Sequence, residues 1–386
     1  MTEARPRALP VLALCAMASF LVGYGGSILF VALPGVAADF HATVRQLAGL
    51  GATLSVGSAI ALPLAALADR RGRGLIAAAG VAGFSLAALG TAVSQGLAGL
   101  AVARLLAVCF ETLVLAVATA AALEAVAAAR RGRTAALIAL AAGAGAGVCV
   151  LAYPLVAPHW RLLYLGAGVG LPFAPLMLLL PRAAASGTGL QRWVLWQMPW
   201  RGRVGLLVAA GAMSAVLYEP ANFFGTLFGS QALHLGPTAL SAVLAVSGVA
   251  AAAGYAGGGI LTDRAGRRVP CVVLSAATAV VAGLSFTANT EIYIAAGIIS
   301  SGLAGGAAPM IGAWTAELVP SRARVTAFTT IGVAGSLGGV AGLQLAAWLA
   351  PHLGLGGALG AAAVVAVAGS LVLLALPETR GQPLPE

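Results

Sequence analysis

The sequence contains no lysine, and only 8% of its 386 residues carry a charged side chain. A soluble globular protein has roughly 25% charged residues, because its surface must face water. This chain is instead 60% apolar, with a mean hydropathy of +0.99. So little charge excludes an ordinary water-soluble domain, and we expect lipid to surround most of the chain.

Several functional motifs are also missing from the sequence. No glycine-rich loop ends in Gly-Lys-Ser or Gly-Lys-Thr, which argues against an ATP-driven machine of the P-loop type. The four cysteines lie within apolar stretches, without the spacing of a metal site. The cluster of histidines or carboxylates that a membrane enzyme would need is absent as well. We therefore expect no enzyme activity, no metal and no cofactor.

Twelve apolar stretches are long enough to cross a membrane, since a transmembrane helix needs about 20 predominantly apolar residues. The sequence predicts them at about residues 8–32, 46–67, 75–94, 97–123, 134–156, 160–181, 203–228, 239–262, 270–288, 292–315, 326–349 and 354–376. The first stretch is too long for the apolar core of a signal peptide. We expect an all-α integral membrane protein.

The arginines predict how these helices are oriented. Eighteen of the 21 arginines fall in segments on one side of the membrane, two (Arg45 and Arg161) fall on the other side, and Arg104 lies within a helix. Because basic residues accumulate on the cytoplasmic side, both termini should be cytoplasmic, in the plasma (inner) membrane. The net charge of +10 could also indicate nucleic-acid binding. The arginines form short clusters between apolar stretches, however, so we expect no nucleic-acid partner.

The longest inner segment divides the chain into two halves. We predict one six-helix half over 1–181, a cytoplasmic linker over 182–202, and a second six-helix half with a short tail over 203–386. The linker contains interspersed tryptophans and arginines, which suit a membrane interface. Binding of a partner protein by this segment is the alternative.

The two halves share polar landmarks at one spacing. Asp69 and Asp263 are 194 residues apart, and Glu124 and Glu317 are 193 apart, with an arginine seven residues after each glutamate. Such a repeat in an otherwise apolar chain indicates two parallel six-helix units related by an axis along the membrane normal.

These motifs resemble those of the major facilitator superfamily. Asp-Arg-x-Gly-Arg occurs at Asp69 and again at Asp263, although the first copy has Ala65 where the family usually has glycine. The pattern is most similar to the sugar porters and their organic-acid relatives, in Arg104 of helix 4, in Glu317-Leu-Val-Pro and in the tail Pro377-Glu-Thr-Arg-Gly. The resemblance covers essentially the whole chain and implies the major facilitator fold with transport by alternating access.

Ten charged residues lie at the predicted cytoplasmic ends of helices, where they could pair with one another and with helix dipoles. They are Asp69, Arg70, Arg73, Glu124, Arg131, Asp263, Arg264, Arg267, Glu317 and Arg324. We interpret them as a cytoplasmic gate, in which pairs between the halves favour the state closed on the inside. The alternative is a set of topology signals and solvated ion pairs, each contributing under about 1 kcal/mol.

Three charged residues lie within predicted helices, where charges are costly and usually functional. Arg104 and Glu111 share one face of helix 4, about 10 Å apart along its axis, and Glu219 lies in helix 7. Proton-coupled sugar porters often have Gly-Tyr-Asp in helix 1, whereas this chain reads Gly23-Tyr24-Gly25. Adding the repeat offset of 194 to position 25 gives Glu219, so the carboxylate is found at the symmetric position.

The resemblance also implies which residues line a solute and proton pathway, because helices 1, 4, 7 and 10 line the central cavity of the family. These residues are Tyr24, Arg104, Glu111, Tyr218, Glu219, Asn222, Phe223, Met310 and Trp314. Structural ion pairs and ordinary packing are the alternative roles for this set.

The sequence thus predicts a monomeric secondary transporter of a small organic solute, sugar-like or an organic acid, coupled to protons as a symporter. A proton-coupled drug or metabolite efflux antiporter is the first alternative, although predicted helix 5 lacks the Gly-Pro pair of the family's antiporter motif. A membrane sensor that does not transport is the second.

Overall fold

The computed structural model describes residues 8–126, 131–181, 200–287, 289–319 and 324–379, and this part of the chain is helical without any β-strand. The eleven α-helices are α1 (Ala8–Asp39), α2 (Val44–Arg71), α3 (Arg73–Ala92), α4 (Leu97–Glu124), α5 (Arg131–Val156), α6 (Arg161–Ala167), α7 (Trp200–Gln231), α8 (Pro237–Ala265), α9 (Arg268–Leu284), α10 (Thr290–Leu318) and α11 (Arg324–Val372).

The difference between eleven α-helices and twelve predicted crossings comes from α11, and α6 is short for a separate reason. The short α6 continues as a 3-10 helix over Gly168–Leu179, which contains Pro172 and Pro175. Proline cannot donate the backbone hydrogen bond of an α-helix, so these residues favour a departure from α geometry. The long α11 consists of two helices that meet at Gly354, whose φ of 69° breaks the helix. Within the described residues the helices therefore form twelve segments, the number that the sequence predicted.

Membrane crossing is supported by the length of the helices. Nine of the described helices are long and apolar enough to span a bilayer. The predicted linker lies outside the described residues except for its last three positions, which already belong to α7.

The chain forms two compact units. One consists of Met1–Ala42 with Val56–Gly187, and the other consists of Thr43–Ser55 with Thr188–Glu386. The first turns of α2 thus belong to the second unit, a detail that the predicted halves did not include.

Each unit has a helix pair that packs backbone against backbone. In the first unit, a Cβ added at Gly145 of α5 would lie 1.9 Å from the carbonyl oxygen of Phe20 in α1. In the second unit, a Cβ at Gly338 of α11 would lie 2.1 Å from the carbonyl oxygen of Ala212 in α7. Gly338 is 193 residues after Gly145. The repeat of the sequence therefore extends to the closest helix contacts.

The repeat also extends to loop conformation. His41 follows α1 and His234 follows α7, and these two residues have φ values of 47° and 54°. They are 193 residues apart. A left-handed residue commonly closes the C-terminus of a helix, so the turns after α1 and α7 share this conformation.

Candidate functional site: a buried charge pair and two ion pairs at helix ends

Helix α4 holds a buried ion pair. The Arg104 and Glu111 side chains are only 1% and 7% exposed, and Arg104 Nη1 lies 3.6 Å from Glu111 Oε1. The two residues are two turns apart on one face of the helix, and their long side chains close the axial separation of about 10 Å. The structure thus brings together the two intramembrane charges of α4.

Four polar atoms of this cluster have no hydrogen-bond partner. They belong to Arg104 (Nε and Nη1), Glu111 (Oε1) and Tyr164 (hydroxyl), and within the described residues each is buried and makes no hydrogen bond. The Arg104 guanidinium carbon lies 5.5 Å from the centre of the Tyr164 ring. A buried unpaired polar atom costs about 1–3 kcal/mol, so the cluster is poised to gain from a proton, water or solute.

Helix α1 leaves room for the Glu111 carboxylate. A Cβ at Gly25 would lie 2.9 Å from Glu111 Oε1, and a Cβ at Gly26 would lie 3.7 Å from Oε2. A longer side chain at position 25 would occupy the volume that the carboxylate fills. An aspartate at position 25 of α1 and the glutamate at position 111 of α4 would therefore place their carboxylates in the same region, so one can replace the other. The neighbouring Tyr24 donates from its hydroxyl to the carbonyl oxygen of Leu163 at 3.3 Å.

Glu219 of α7 has a different environment. Its side chain is exposed and packs on Gly339, whose added Cβ would lie 2.5 Å from Glu219 Cγ. Among the described residues it makes no hydrogen bond and no ion pair. The preceding Tyr218 donates to the carbonyl oxygen of Ser275 at 3.4 Å, and Asn222 is exposed. Glu219 is thus a carboxylate without a countercharge in the part of the chain that is described.

The remaining predicted lining residues pack in the interior of the second unit. Phe223, Met310 and Trp314 are at most 2% exposed. The Trp314 indole nitrogen donates to the carbonyl oxygen of Pro377 at 3.1 Å, which ties α10 to the C-terminal tail. The contacts described for these three side chains are packing contacts in the protein interior. Their contribution to a solute pathway stays a prediction.

The repeated motifs form the same ion pair in each unit. Arg73, the first residue of α3, binds the Glu124 carboxylate with both terminal nitrogens, one of them at 2.7 Å. Arg267 binds Glu317 at 3.1–3.3 Å. The arginines are 194 residues apart and the glutamates 193 apart. All four belong to the predicted cytoplasmic gate, but their pairing could not be read from their spacing in the sequence.

The other six predicted gate residues have described backbones only. Their side chains, like the linker, lie outside the described part of the structure. They are Asp69, Arg70, Arg131, Asp263, Arg264 and Arg324.

The second unit adds its C-terminal tail to the ion pair. The Glu378 carboxylate accepts the backbone N–H groups of Arg267 at 3.0 Å and Arg268 at 2.9 Å, at the start of α9. The Thr379 hydroxyl donates to Glu317 Oε2 at 2.6 Å. A carboxylate at a helix N-terminus satisfies free N–H groups and the helix dipole. The sequence showed the tail only as a family ending, without this contact.

A further cluster, missed by the sequence analysis, lies where α1 ends in the first unit. Asp39 forms an ion pair with Arg161 and accepts the Trp160 indole N–H at 2.8 Å. The Arg161 guanidinium stacks 4.4 Å from the centre of the Trp160 ring. The signal in the sequence was an arginine on the predicted outer side, where arginines are rare and need a partner.

Comparison with known proteins decides the family. The sequence profile described as Major Facilitator Superfamily matches residues 15–230 and again 207–386. The chain belongs to this superfamily. It is therefore a transporter and an integral membrane protein, and membership excludes the enzyme class. Among proteins of curated function, none matches the sequence significantly.

Solved structures of superfamily members share the fold at low sequence identity. A D-xylose-proton symporter has a TM-score of 0.80 and 14% identity, covering 97% of this chain and 99% of its own. The xylose transporter XylE from E. coli, in an inward open conformation, has a TM-score of 0.78 and 14% identity, covering 98% of both chains. A bacterial homolog of the human lysosomal transporter Spinster has a TM-score of 0.75 and 14% identity, covering 96% of both.

Proposed function

We propose that this superfamily member is a proton-coupled symporter that moves a small organic solute by alternating access. The observation that carries the proposal is the Arg104–Glu111 pair, buried within a membrane-spanning helix and incompletely hydrogen-bonded. A buried ion pair is costly to form and costly to break. Such a pair persists in a membrane span mainly where its rearrangement serves a function.

The chemistry of the pair suggests how the proton and the solute are linked. With Glu111 ionised, the carboxylate neutralises Arg104 across 3.6 Å. Protonation of Glu111 removes that charge and leaves Arg104 as a buried cation with free N–H groups. A solute carrying a carboxylate or several hydroxyl groups can then bind Arg104. Release of the solute restores the attraction between the two side chains and favours loss of the proton.

The solute class follows from the site and from motif resemblance. A single buried guanidinium beside Tyr164 suits an organic acid or a sugar-like polyol, because both present oxygen acceptors. The tail and the helix 4 motifs resemble those of sugar porters and their organic-acid relatives. Two of the similar structures are xylose transporters, which agrees with this class.

The ion pairs Arg73–Glu124 and Arg267–Glu317 are proposed to act in a cytoplasmic gate. Each joins the start of one helix to the end of another within its unit, and so fixes the relative position of these two helix ends.

The topology and location are proposed as well. We propose that both termini are cytoplasmic, because of the arginine distribution, and that the protein is a monomer in the plasma membrane.

Transport by purified protein in proteoliposomes tests the proposal. With the lumen alkaline relative to the bath, a panel of sugars and organic acids should include a solute that accumulates above its bath concentration. Protein-free liposomes and the Arg104→Ala variant should show none. Accumulation only with the opposite gradient would indicate the efflux antiporter instead. Equilibration without accumulation in either gradient would contradict coupling to protons.

A further inference from the structure

A cavity distinct from the Arg104 site opens in the second unit, at the helix ends that we predict to face the outside. Its volume is about 720 Å³. All its lining residues belong to the second unit. The polar and aromatic groups among them are Thr43, which precedes α2, Arg45 of α2, and Gln344, Trp348 and His352 of α11.

Two local structures set the positions of these residues on their helices. The Thr43 backbone N–H donates to Gln46 Oε1 at 2.9 Å, and the Gln46 N–H donates to Thr43 Oγ1 at 3.3 Å. This reciprocal capping box starts α2 and places Arg45 in its first turn. Residues 344, 348 and 352 follow one another at intervals of four, so they share one face of α11.

Charge on the cavity wall is of one sign. No lining residue among those described is acidic. Of the two arginines on the predicted outer side, Arg161 is paired with Asp39, whereas Arg45 has no carboxylate partner in the described part of the chain. A second basic side chain, His352, lines the same wall.

The cavity also has an apolar wall that is open to a ligand. Trp348 is 68% exposed, and Leu355 and Ala347 line the same cavity. An aromatic ring next to a cation and an amide is a combination that binds a planar anion by stacking and by charge-assisted hydrogen bonds.

We propose that this cavity binds an organic anion, with its carboxylate or phosphate on Arg45 and His352 and its apolar body against Trp348. The proposal deepens the proposed function and rests on it, because a site at the outer mouth would collect an anionic solute before transport. A phospholipid headgroup carries the same anionic chemistry, and the experiment separates the two sources.

The test measures binding of 4-fluorobenzoate to the purified full chain in detergent by ¹⁹F NMR, with neutral 4-fluorobenzamide as the matched probe. Fluorobenzoate should bind at least about tenfold more tightly than the amide, because only the carboxylate forms a charge-assisted hydrogen bond with Arg45. Arg45→Gln should weaken fluorobenzoate binding about tenfold, and Trp348→Leu should weaken both probes. Arg45→Lys keeps the charge and should retain most of the affinity.

Competition identifies the source of the anion. The first result is that dioctanoyl phosphatidic acid displaces fluorobenzoate from the unmodified protein but fails to displace it from the Arg45→Gln variant. This result would assign the site to a lipid headgroup. Displacement by inorganic phosphate or acetate without an effect of the lipid would assign it to soluble anions. Both results support an anion site at Arg45.

The Arg104→Ala variant separates this inference from the proposed function. Fluorobenzoate binding that survives Arg104→Ala and falls in Arg45→Gln supports the outer site, whatever the transport assay shows. Binding that is lost in Arg104→Ala but unchanged in Arg45→Gln overturns the outer site and leaves the proposed function standing. Equal binding of the two probes, or no effect of either variant, also overturns it, and Trp348 is then an interfacial anchor.

Discussion

At the scale of single residues, the position of Glu111 depends on the absence of a side chain at Gly25. The Cβ position of Gly25 lies 2.9 Å from Glu111 Oε1, in the interior of the first unit. An aspartate at position 25 would bring a second carboxylate close to Glu111, and the two would repel each other strongly because little water screens them. The acid on α4 and an acid on α1 are therefore mutually exclusive in this chain.

Gly25→Asp should abolish proton-driven accumulation, since the new carboxylate meets Glu111 and competes for Arg104. Adding Glu111→Ala should restore part of the activity by returning the site to one acid. Flux into proteoliposomes measures both effects. Gly26→Ala is the matched control, because its Cβ would make an ordinary contact at 3.7 Å. Full activity of Gly25→Asp alone would show that Glu111 does not need this space.

Glu111→Gln should abolish accumulation against a gradient and keep solute exchange across the membrane, because exchange needs no net proton movement. Counterflow of labelled solute measures exchange, and uptake driven by a pH gradient measures accumulation. Glu219→Gln is the paired variant and should show the same phenotype if α7 carries the proton instead. Accumulation by both single variants and by the double variant would rule out both carboxylates as the coupling group.

At the scale of secondary-structure elements, α1 and α5 approach so closely that only glycine fits at Gly145. Glycines at 143 and 147 have the spacing of a small-residue helix interface. In the structure, however, neither has an atom within 4 Å of its Cβ position, whereas Gly145 has a carbonyl oxygen at 1.9 Å. The rotation of the helix about its axis decides which glycines face the partner, and spacing alone does not reveal that rotation.

Gly145→Ala should lower the free energy of unfolding by about 1–3 kcal/mol, the range for overpacking, because the backbone of α1 must move away. Gly143→Ala and Gly147→Ala should have little effect or stabilise slightly. The four cysteines are buried, so a thiol-reactive fluorescent dye can follow thermal unfolding in detergent. A Gly145→Ala midpoint equal to those of the two controls would show that α1 and α5 are less tightly packed.

At the scale of the whole molecule, the repeated ion pairs should influence the balance between conformations. Glu317 is bound by Arg267 and by Thr379 of the tail, and Glu124 is bound by Arg73. If these carboxylates belong to a gate that favours the state closed on the inside, removing their charge changes the relative stability of the two states.

Glu317→Gln should shift the population towards the inward-open state while changing solute affinity in detergent little, and Asp69→Asn should do the same. Distances between spin labels at the inner ends of the two halves measure the shift. Thr379→Val is the matched control, because it removes one hydrogen bond and leaves the Arg267–Glu317 pair. Unchanged distance distributions in both acidic variants would reject the gating role.

The arginine distribution predicts that both termini and the 182–202 segment are cytoplasmic. A single cysteine at Ser186 should be unreactive to an impermeant thiol reagent in intact cells, while one at Thr287 should react. The background must lack the four native cysteines. Labelling at position 186 from outside would contradict the predicted orientation.

Much of the fold could be predicted from the sequence, because the bilayer imposes simple length and polarity rules on each helix. The predicted stretch 97–123 and the observed α4, Leu97–Glu124, nearly coincide. The break between the last two helices at Gly354 was also placed correctly. The site was predicted less completely. Helical geometry placed Arg104 and Glu111 on one face of their helix, but it did not reveal that the missing side chain of Gly25 leaves room for the Glu111 carboxylate.

The sequence by itself determined the number of crossings, the family and the repeat, because these depend on local composition and on spacing along the chain. Only the tertiary structure decided which side chains meet across helices. Glu124 meets Arg73, Glu378 meets the start of α9, and Arg45 lines an open cavity instead of an ion pair. The physical reason is that spacing defines a residue's face on its own helix, whereas its partner depends on the packing and rotation of neighbouring helices.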